Sequence, residues 1–180
     1  MAPDETAATR STVRLTPAPR DGCGAVHVET GVPVLDRLLE QVARYGRFDL
    51  ALAVASDSAE AQVVASGRAL GAALVEPLRA EGARGYGAGY IPSAEALAHV
   101  ALDLSDDPCL VSNFDLSAAH VGGLAGDMAV RFLRELTKAA GIVLHVRLVE
   151  GNDTEHVLNA IFKALGVALG RACDIGRGGP

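Results

Sequence analysis

Hydrophobic residues recur along the chain with two spacings, one typical of helices and the other of strands. A spacing of three to four residues predicts a helix, because residues so spaced share one helical face. This spacing predicts four helices, at 34–45, 59–78, 125–140 and 155–169. Alternation of apolar and polar residues predicts strands at 12–15, 25–29, 48–55, 98–104, 109–116 and 142–149. We expect hairpins that join 12–15 to 25–29 and 98–104 to 109–116, and we interpret Gly-rich 81–89 as a connector.

The order of these elements repeats halfway along the chain. Tyr45-Gly46, which precede a strand, correspond to Ala140-Gly141 at an offset of 95 residues (141 − 46 = 95). The same offset relates the segments that begin at Arg68 and Lys163. We therefore predict an α/β (α+β) fold made of an internally duplicated β-β-α-β-α repeat, with two sheets and packed helices.

The repeat also predicts how the chain is divided. We place the first half-repeat at 11–92 and the second at 93–175 within one compact globular unit, with flexible tails at 1–10 and 176–180. Equivalent points of the two halves should share their chemistry. The helix starts at Glu60 and Glu155 are such a pair.

Charge and cysteine content restrict the class of partner. A net charge of −6 and a pI of about 5.3 argue against nucleic acid and against an anionic membrane surface. Cys23, Cys109 and Cys173 match no metal or disulfide spacing, so we expect reduced thiols in a cytoplasmic protein. Residues 1–20 lack the apolar core of a signal peptide.

Carboxylates and histidines near the helix starts are the candidates for chemistry. Glu60 and Glu155 either complement the helix dipole or act as paired acid/base groups. Histidine is the usual general base near neutral pH, so His145 and His156 could serve as the partner base. The Glu60, Glu155, His145 and His156 side chains also form a mixed nitrogen and oxygen set that would suit zinc or manganese.

Several segments resemble imidazoleglycerol-phosphate dehydratase. TGVPVLDRLL at 30–39 and RYGRFDL at 44–50 are similar to that family's TG-(I/V)-x-F-LDHML and HGxFDL. Five further segments are similar to motifs of that family. They are AEAL at 94–97 (DEAL in the family), LDLS at 102–105 (LDLSGRP), LHVR at 144–147 (LHIR), EGN at 150–152 (EGxNxHHxxEA) and FKA at 162–164 (FKA). The resemblance covers residues 11–172 and implies the family's duplicated fold, which is of the ribosomal protein S5 domain 2-like kind.

The resemblance also implies a site, and several of its positions differ here. The family holds two manganese ions between subunits through an HHxxE motif at the start of each long helix and through outlying histidines. Here those motifs read EAQVV at 60–64 and EHVLN at 155–159, and Arg37 replaces the histidine of LDHML. Only His145 and His156 keep the ligand type, so we expect no metal cofactor, with a residual divalent ion at these two histidines as the open alternative.

The substrate side differs too. The family's catalytic glutamate corresponds to Ser11 and its phosphate-binding arginines to Gly85 and Asp107, whereas Lys163 is retained. We predict catalytic roles for Glu60, His145, Glu155 and His156, and substrate contacts from Glu95, Asn159, Lys163 and Arg37.

Three functions compete at this point. We rank first a repurposed, metal-independent lyase, isomerase or cyclase that uses acid/base residues on a small polar substrate. A non-catalytic binding or assembly module is the alternative, and a genuine manganese-dependent dehydratase of histidine biosynthesis ranks last. The family forms trimers that metal ions join into a larger shell, and we expect a trimer or other homo-oligomer here.

Overall fold

The computed structural model of the protein describes residues 9–18, 24–115, 120–121 and 124–174. The first sheet of this structure has three strands. β1 (Arg10–Pro17) runs antiparallel to β3 (Phe48–Ala55), and β2 (Val26–Glu29) runs parallel to the other edge of β3. The hairpin predicted between the first two strands is wrong, because β3 lies between them. β3 takes the central place because its alternate residues Phe48, Leu50, Leu52 and Val54 are all buried.

The second sheet has four strands in the order β4-β5-β9-β6. They are β4 (Tyr86–Ser93), β5 (Ala96–Leu104), β6 (Cys109–Ser112) and β9 (Ile142–Glu150). β5 is antiparallel to both of its neighbours, and β6 is parallel to β9. The second predicted hairpin is therefore also wrong, since β9 separates β5 from β6. A short antiparallel pair, β7 (His120–Val121) and β8 (Leu124–Ala125), lies outside this sheet.

Four helices cover the sheets in the described part of the chain. They are α1 (Pro33–Gly46), α2 (Ala59–Arg79), α3 (Gly126–Ala140) and α4 (Thr154–Cys173). α4 packs on β4 because Gly87 and Gly89 face it; a Cβ at either glycine would overlap the backbone carbonyl of Ala168 or Ala164. The Gly-rich segment predicted as a connector therefore contributes a strand that needs its glycines. Gly170 does not end α4 and packs against Gly46 of α1.

The helices pair across the two halves of the sequence. α1 packs on α4, and α3 packs on α2. Gly166 of α4 faces the backbone of Val42 in α1, and Gly71 of α2 faces the backbone of Leu136 in α3. Small residues at these points let the helix axes come close together, so each half contributes one helix to each pair.

The burial pattern refines the repeat. The long helices keep the predicted offset of 95: Ser58 caps α2 through the N–H of Ala61, and Asp153 caps α4 through the N–H of His156. The preceding helices and strands follow an offset of 94, because the buried residues of α1 and β3 match those of α3 and β9 only in that register (144 − 50 = 94). Leu50 therefore corresponds to Leu144 and not to His145, since a shift of one residue in a strand exchanges its two faces.

The prediction of two sheets with packed helices is confirmed by this architecture. The boundary between half-repeats at 92/93 falls at the end of β4 and stays a prediction. Of the predicted tails, residues 1–8 and 176–180 lie outside the described residues, whereas Arg10 pairs with Ala55 in the first sheet. In the described ranges we find no helix with the length and apolar character needed to span a bilayer.

Candidate active site

The start of α4 holds a histidine–carboxylate pair. Nδ1 of His156 lies 2.5 Å from Oε2 of Glu95 and 3.7 Å from Oδ1 of Asp153. His156 comes two residues into α4, where the side chain of Asp153 already accepts its backbone N–H. Both contacts engage the same ring nitrogen, Nδ1.

Glu95 reaches this position from a two-residue turn. β4 and β5 are joined by Ala94 and Glu95 alone, and Ala94 has φ 51°, a left-handed conformation that non-glycine residues seldom adopt. Oε1 of Glu95 accepts the backbone N–H groups of Asp153, at 3.0 Å, and Asn152, at 3.4 Å. The turn therefore joins the second sheet to the cap of α4.

These contacts keep the Glu95 carboxylate ionised. The backbone N–H of Asp153 has the largest effect, and it lowers the pKa of Glu95 to about 2 with help from His156 and the N–H of Asn152. The contact at Nδ1 also fixes the orientation of the His156 ring.

Lys163 extends the same face of α4 by two turns. Residues 156 and 163 are seven apart, so their side chains lie on one side of the helix. Nζ of Lys163 donates a hydrogen bond of 3.2 Å to Oγ of Ser93, at the end of β4 beside the turn. It also lies 5.7 Å from the centre of the Tyr45 ring, within cation–π range. Ser93, Glu95, His156 and Lys163 form what we call the turn site.

Glu155 and Asn159 face a separate groove between α1 and α4. Its cavity of about 190 Å³ is lined by Val34, Arg37, Leu38, Gln41, Glu155, Leu158 and Asn159. A guanidinium nitrogen of Arg37 lies 4.0 Å from a carboxylate oxygen of Glu155 at the mouth of this groove. Two of the predicted substrate-binding residues and one predicted catalytic residue therefore share it.

Glu60 and His145 lie elsewhere in the chain. Glu60 forms an ion pair with Arg131 of α3 and does not line the groove that contains Glu155. His145 is exposed on β9, between Ala101 of β5 and Val111 of β6. The four predicted catalytic residues are thus distributed over four places within one chain: His156 in the turn site, Glu155 in the groove, Glu60 beside Arg131 and His145 on β9.

Sequence reasoning missed Ser93, Asp153 and Arg131 as parts of these sites, and it interpreted Glu95 only as a substrate contact. Alternation on both sides of Ala94-Glu95 indicates a tight turn, which would have predicted that Glu95 stands at a sheet end. Arg131 could have been found from the 94-residue offset, because it is the counterpart of Arg37 (131 − 37 = 94).

The side chains at the helix starts do not fit a metal pair. Within residues 9–18, 24–115, 120–121 and 124–174, no three His, Cys, Asp or Glu side chains lie close enough to hold an ion. Glu60 and Glu155 each face a guanidinium, and His156 is bound to Glu95. A guanidinium has no lone pair to offer a metal, so these starts carry ion pairs where a metal would need free donors.

Comparison with known proteins identifies the family. The family model for imidazoleglycerol-phosphate dehydratase matches residues 30–169. The imidazoleglycerol-phosphate dehydratase of Desulfitobacterium hafniense (strain Y51) is 39% identical over 172 residues, which are 93% of this chain and 86% of that protein. That of Syntrophobacter fumaroxidans (strain DSM 10017 / MPOB) is 40% identical over 156 residues, 84% of this chain and 79% of that protein.

Solved structures agree with these relatives. The imidazoleglycerol-phosphate dehydratase of Staphylococcus aureus subsp. aureus N315 superposes with a TM-score of 0.78 at 29% identity, over 92% of this chain and 95% of that one. The enzyme from Pyrococcus furiosus, in complex with (S)-C348, superposes with a TM-score of 0.82 at 25% identity, over 96% and 93%.

These relatives overturn the ranking of functions made from the sequence. A repurposed metal-independent lyase, isomerase or cyclase, with a non-catalytic module as its alternative, is the wrong expectation. Proteins that are 35–40% identical over most of the chain are named for the activity ranked last. The ranking rested on a few substituted positions, whereas the identity extends over the whole scaffold that positions the site. This chain belongs to the imidazoleglycerol-phosphate dehydratase family.

Proposed function

We propose that the chain binds imidazoleglycerol phosphate and catalyses the loss of water from it. The observation that carries this proposal within the molecule is the 2.5 Å contact between His156 and Glu95, with Lys163 on the same helical face. Its wider support is the family membership, because the relatives' name states both the substrate and the reaction.

The reaction requires that a C–H bond and a neighbouring C–O bond of the glycerol chain break. The proton leaves to a base, the electron pair of the C–H bond forms the new C=C bond, and the hydroxyl departs with a proton as water. An imidazole with one free nitrogen can accept the first proton and return it to the departing hydroxyl. We assign this role to Nε2 of His156.

Glu95 acts on the reaction through His156. It accepts the hydrogen bond at Nδ1, so the ring presents Nε2 to the substrate and its positive charge is stabilised once it is protonated. Glu95 is thus a positioning residue, and this role replaces the direct substrate contact predicted from the sequence.

Lys163 supplies the cation for the phosphate group. Its ammonium is half-buried and held by Ser93, two turns from His156 on one face of α4. A phosphate bound there would place the glycerol chain along the helix toward the imidazole. Arg37 and Asn159 stay proposed substrate contacts at the adjacent groove, whereas Glu60, Glu155 and His145 have no assigned step.

The test is a turnover assay of the purified chain with imidazoleglycerol phosphate, in which mass spectrometry detects the dehydrated product. It is run once with added manganese and once with a chelator, so the metal requirement is measured separately from activity. We expect Lys163→Gln to raise KM and Glu95→Gln to lower kcat, each with little effect on the other constant. Absence of product under both conditions, from a chain that circular dichroism reports as folded, would refute the proposed function.

We propose that the protein works as a cytoplasmic homo-oligomer, specifically a trimer or larger. The support is the helix-free face of the second sheet, where Tyr86, Tyr90 and Val149 are 60%, 56% and 52% exposed. Cys109 and Cys173 are free thiols, which suits a reducing compartment. Light scattering should give at least three times the 18.5 kDa chain mass. A stable monomer at micromolar concentration would contradict this assembly.

A further inference from the structure

Two ion pairs repeat in the two halves of the molecule. Arg37 of α1 faces Glu155 at the start of α4, and Arg131 of α3 faces Glu60 at the start of α2. Each glutamate is the second residue of its helix. The glutamates are related by the 95-residue offset of the long helices, and the arginines by the 94-residue offset of the preceding helices.

Each pair joins the two halves of the chain. α1 belongs to the first half and α4 to the second, whereas α3 belongs to the second and α2 to the first. The pairs therefore follow the same exchange of helices as the packing contacts at Gly166 and Gly71. A surface ion pair formed by chance would have no counterpart at the equivalent position of the repeat.

The chemistry of these pairs conflicts with the metal that the family resemblance implies. The same helix starts hold manganese ligands in that family, and a divalent cation there would need carboxylate or imidazole donors with free lone pairs. A guanidinium is permanently charged, donates only, and repels a second cation placed at the same carboxylate. The carboxylate at each start already faces a guanidinium of the same chain.

We propose that Arg37 and Arg131 occupy the cationic positions at the starts of α4 and α2, and that neither start recruits a divalent metal ion. The guanidiniums supply a positive charge that is fixed in place and does not depend on metal supply. This inference concerns the charge at the two helix starts and does not rest on the proposed dehydration, because it is measured without substrate.

The test measures manganese binding by the full-length purified chain. Binding is detected as a decrease of the electron paramagnetic resonance signal of free Mn²⁺. We expect the wild-type chain to leave the signal unchanged and its melting temperature to be the same with manganese and with a chelator. The double variant Arg37→His/Arg131→His replaces each cation with a donor beside a glutamate. It should reduce the free Mn²⁺ signal at protein concentrations at which the wild type leaves that signal unchanged.

Two variants separate this effect from a general change of charge. Arg44→Gln removes the charge of another arginine of α1 without adding a metal donor, and it should bind no manganese. The Arg44 side chain is 66% exposed, compared with 62% for that of Arg37. Arg37→Lys keeps the cation and should also stay unbound, while circular dichroism confirms that all variants fold.

Either of two results would overturn the proposal. One is stoichiometric manganese binding by the wild-type chain that Glu155→Gln or Glu60→Gln removes. The other is a double histidine variant that folds and binds manganese no better than the wild type.

Discussion

Replacing Gly71 with alanine should destabilise the protein, although alanine is the better helix former. Gly71 lies in the interior of α2, where α3 packs against it. A Cβ at this position would lie 2.6 Å from the carbonyl oxygen of Leu136, 2.8 Å from Cβ of Ala139 and 3.1 Å from the backbone nitrogen of Ala140. Two of these three atoms belong to the backbone, so the clash can be relieved only if the helices move apart.

Two opposing effects set the size of the change. Alanine in place of glycine in a helix interior gains about 1 kcal/mol. Overpacking of a close-packed interior costs about 1–3 kcal/mol, and the rigid backbone contacts here favour the upper half of that range. The net free energy of unfolding should therefore fall by about 1–2 kcal/mol, and the melting temperature by about 2–4 °C for each kcal/mol.

Urea unfolding, followed by far-UV circular dichroism, measures the change. Ala72→Gly is the matched control, because Ala72 is the next residue of α2 and is exposed. It should lose about 1 kcal/mol by helix propensity alone. Gly166→Ala should repeat the result of Gly71→Ala, since its Cβ would lie 2.6 Å from the carbonyl oxygen of Val42. A Gly71→Ala variant more stable than the wild type by about 1 kcal/mol would show that the close helix contact is absent.

Three further predictions follow from single residues. Phe162→Ala should reduce the free energy of unfolding in urea by about 3–5 kcal/mol, because its fully buried ring lies 5.7 Å from that of Phe132; a loss below 1 kcal/mol would contradict this packing. Because the folded pKa of Glu95 is about 2, below its ordinary value of 4.5, its contribution to stability should be complete above pH 4.5 and lost as the pH falls toward 2; an NMR titration midpoint near 4.5 would refute the turn-site hydrogen bonds. Burial raises the pKa of the Cys173 thiol to about 12, so peptide mapping should find Cys109 labelled by a thiol reagent at neutral pH and Cys173 labelled only after denaturation; fast labelling of native Cys173 would contradict its burial.

The elements that could be predicted from the sequence are those whose apolar period is long and regular. The helices from Pro33, Ala59 and Thr154 begin within a residue of their predicted starts, and the apolar alternation in β3 and β9 is observed as burial. A continuous period leaves only one face to bury, so it specifies the element almost alone.

Strand pairing could not be predicted in the same way. The expected hairpins place neighbours in sequence side by side, whereas β3 and β9 each lie between two strands that precede them in the chain. Alternation says which face of a strand is buried but nothing about which strand lies at its edge. The change of offset from 94 to 95 between β3 and α2 could not be read from the sequence either. Gly46 and Gly141 align at an offset of 95, but the residues that adopt the left-handed conformation after the two helices are Arg47 and Gly141, which are 94 apart.

The candidate site could be predicted only in part. His156 and Lys163 share a helical face, which a seven-residue spacing indicates directly. The approach of Glu95 to His156 spans 61 residues and depends on the β4–β5 turn meeting the cap of α4. The pairing of Glu60 with Arg131, and not with Glu155, depends on the exchange of helices between the halves, which is a tertiary property.

The most direct test of the account is the turnover of imidazoleglycerol phosphate by the wild-type chain and by His156→Gln. If His156 carries the proton, the wild type forms the dehydrated product and the variant's kcat falls by roughly 10²–10⁴-fold, the usual contribution of a general acid–base group. His27→Gln, which changes a 70% exposed histidine on β2, should keep wild-type turnover. Equal kcat values for the wild type and His156→Gln would contradict the assignment of the turn site as the active site.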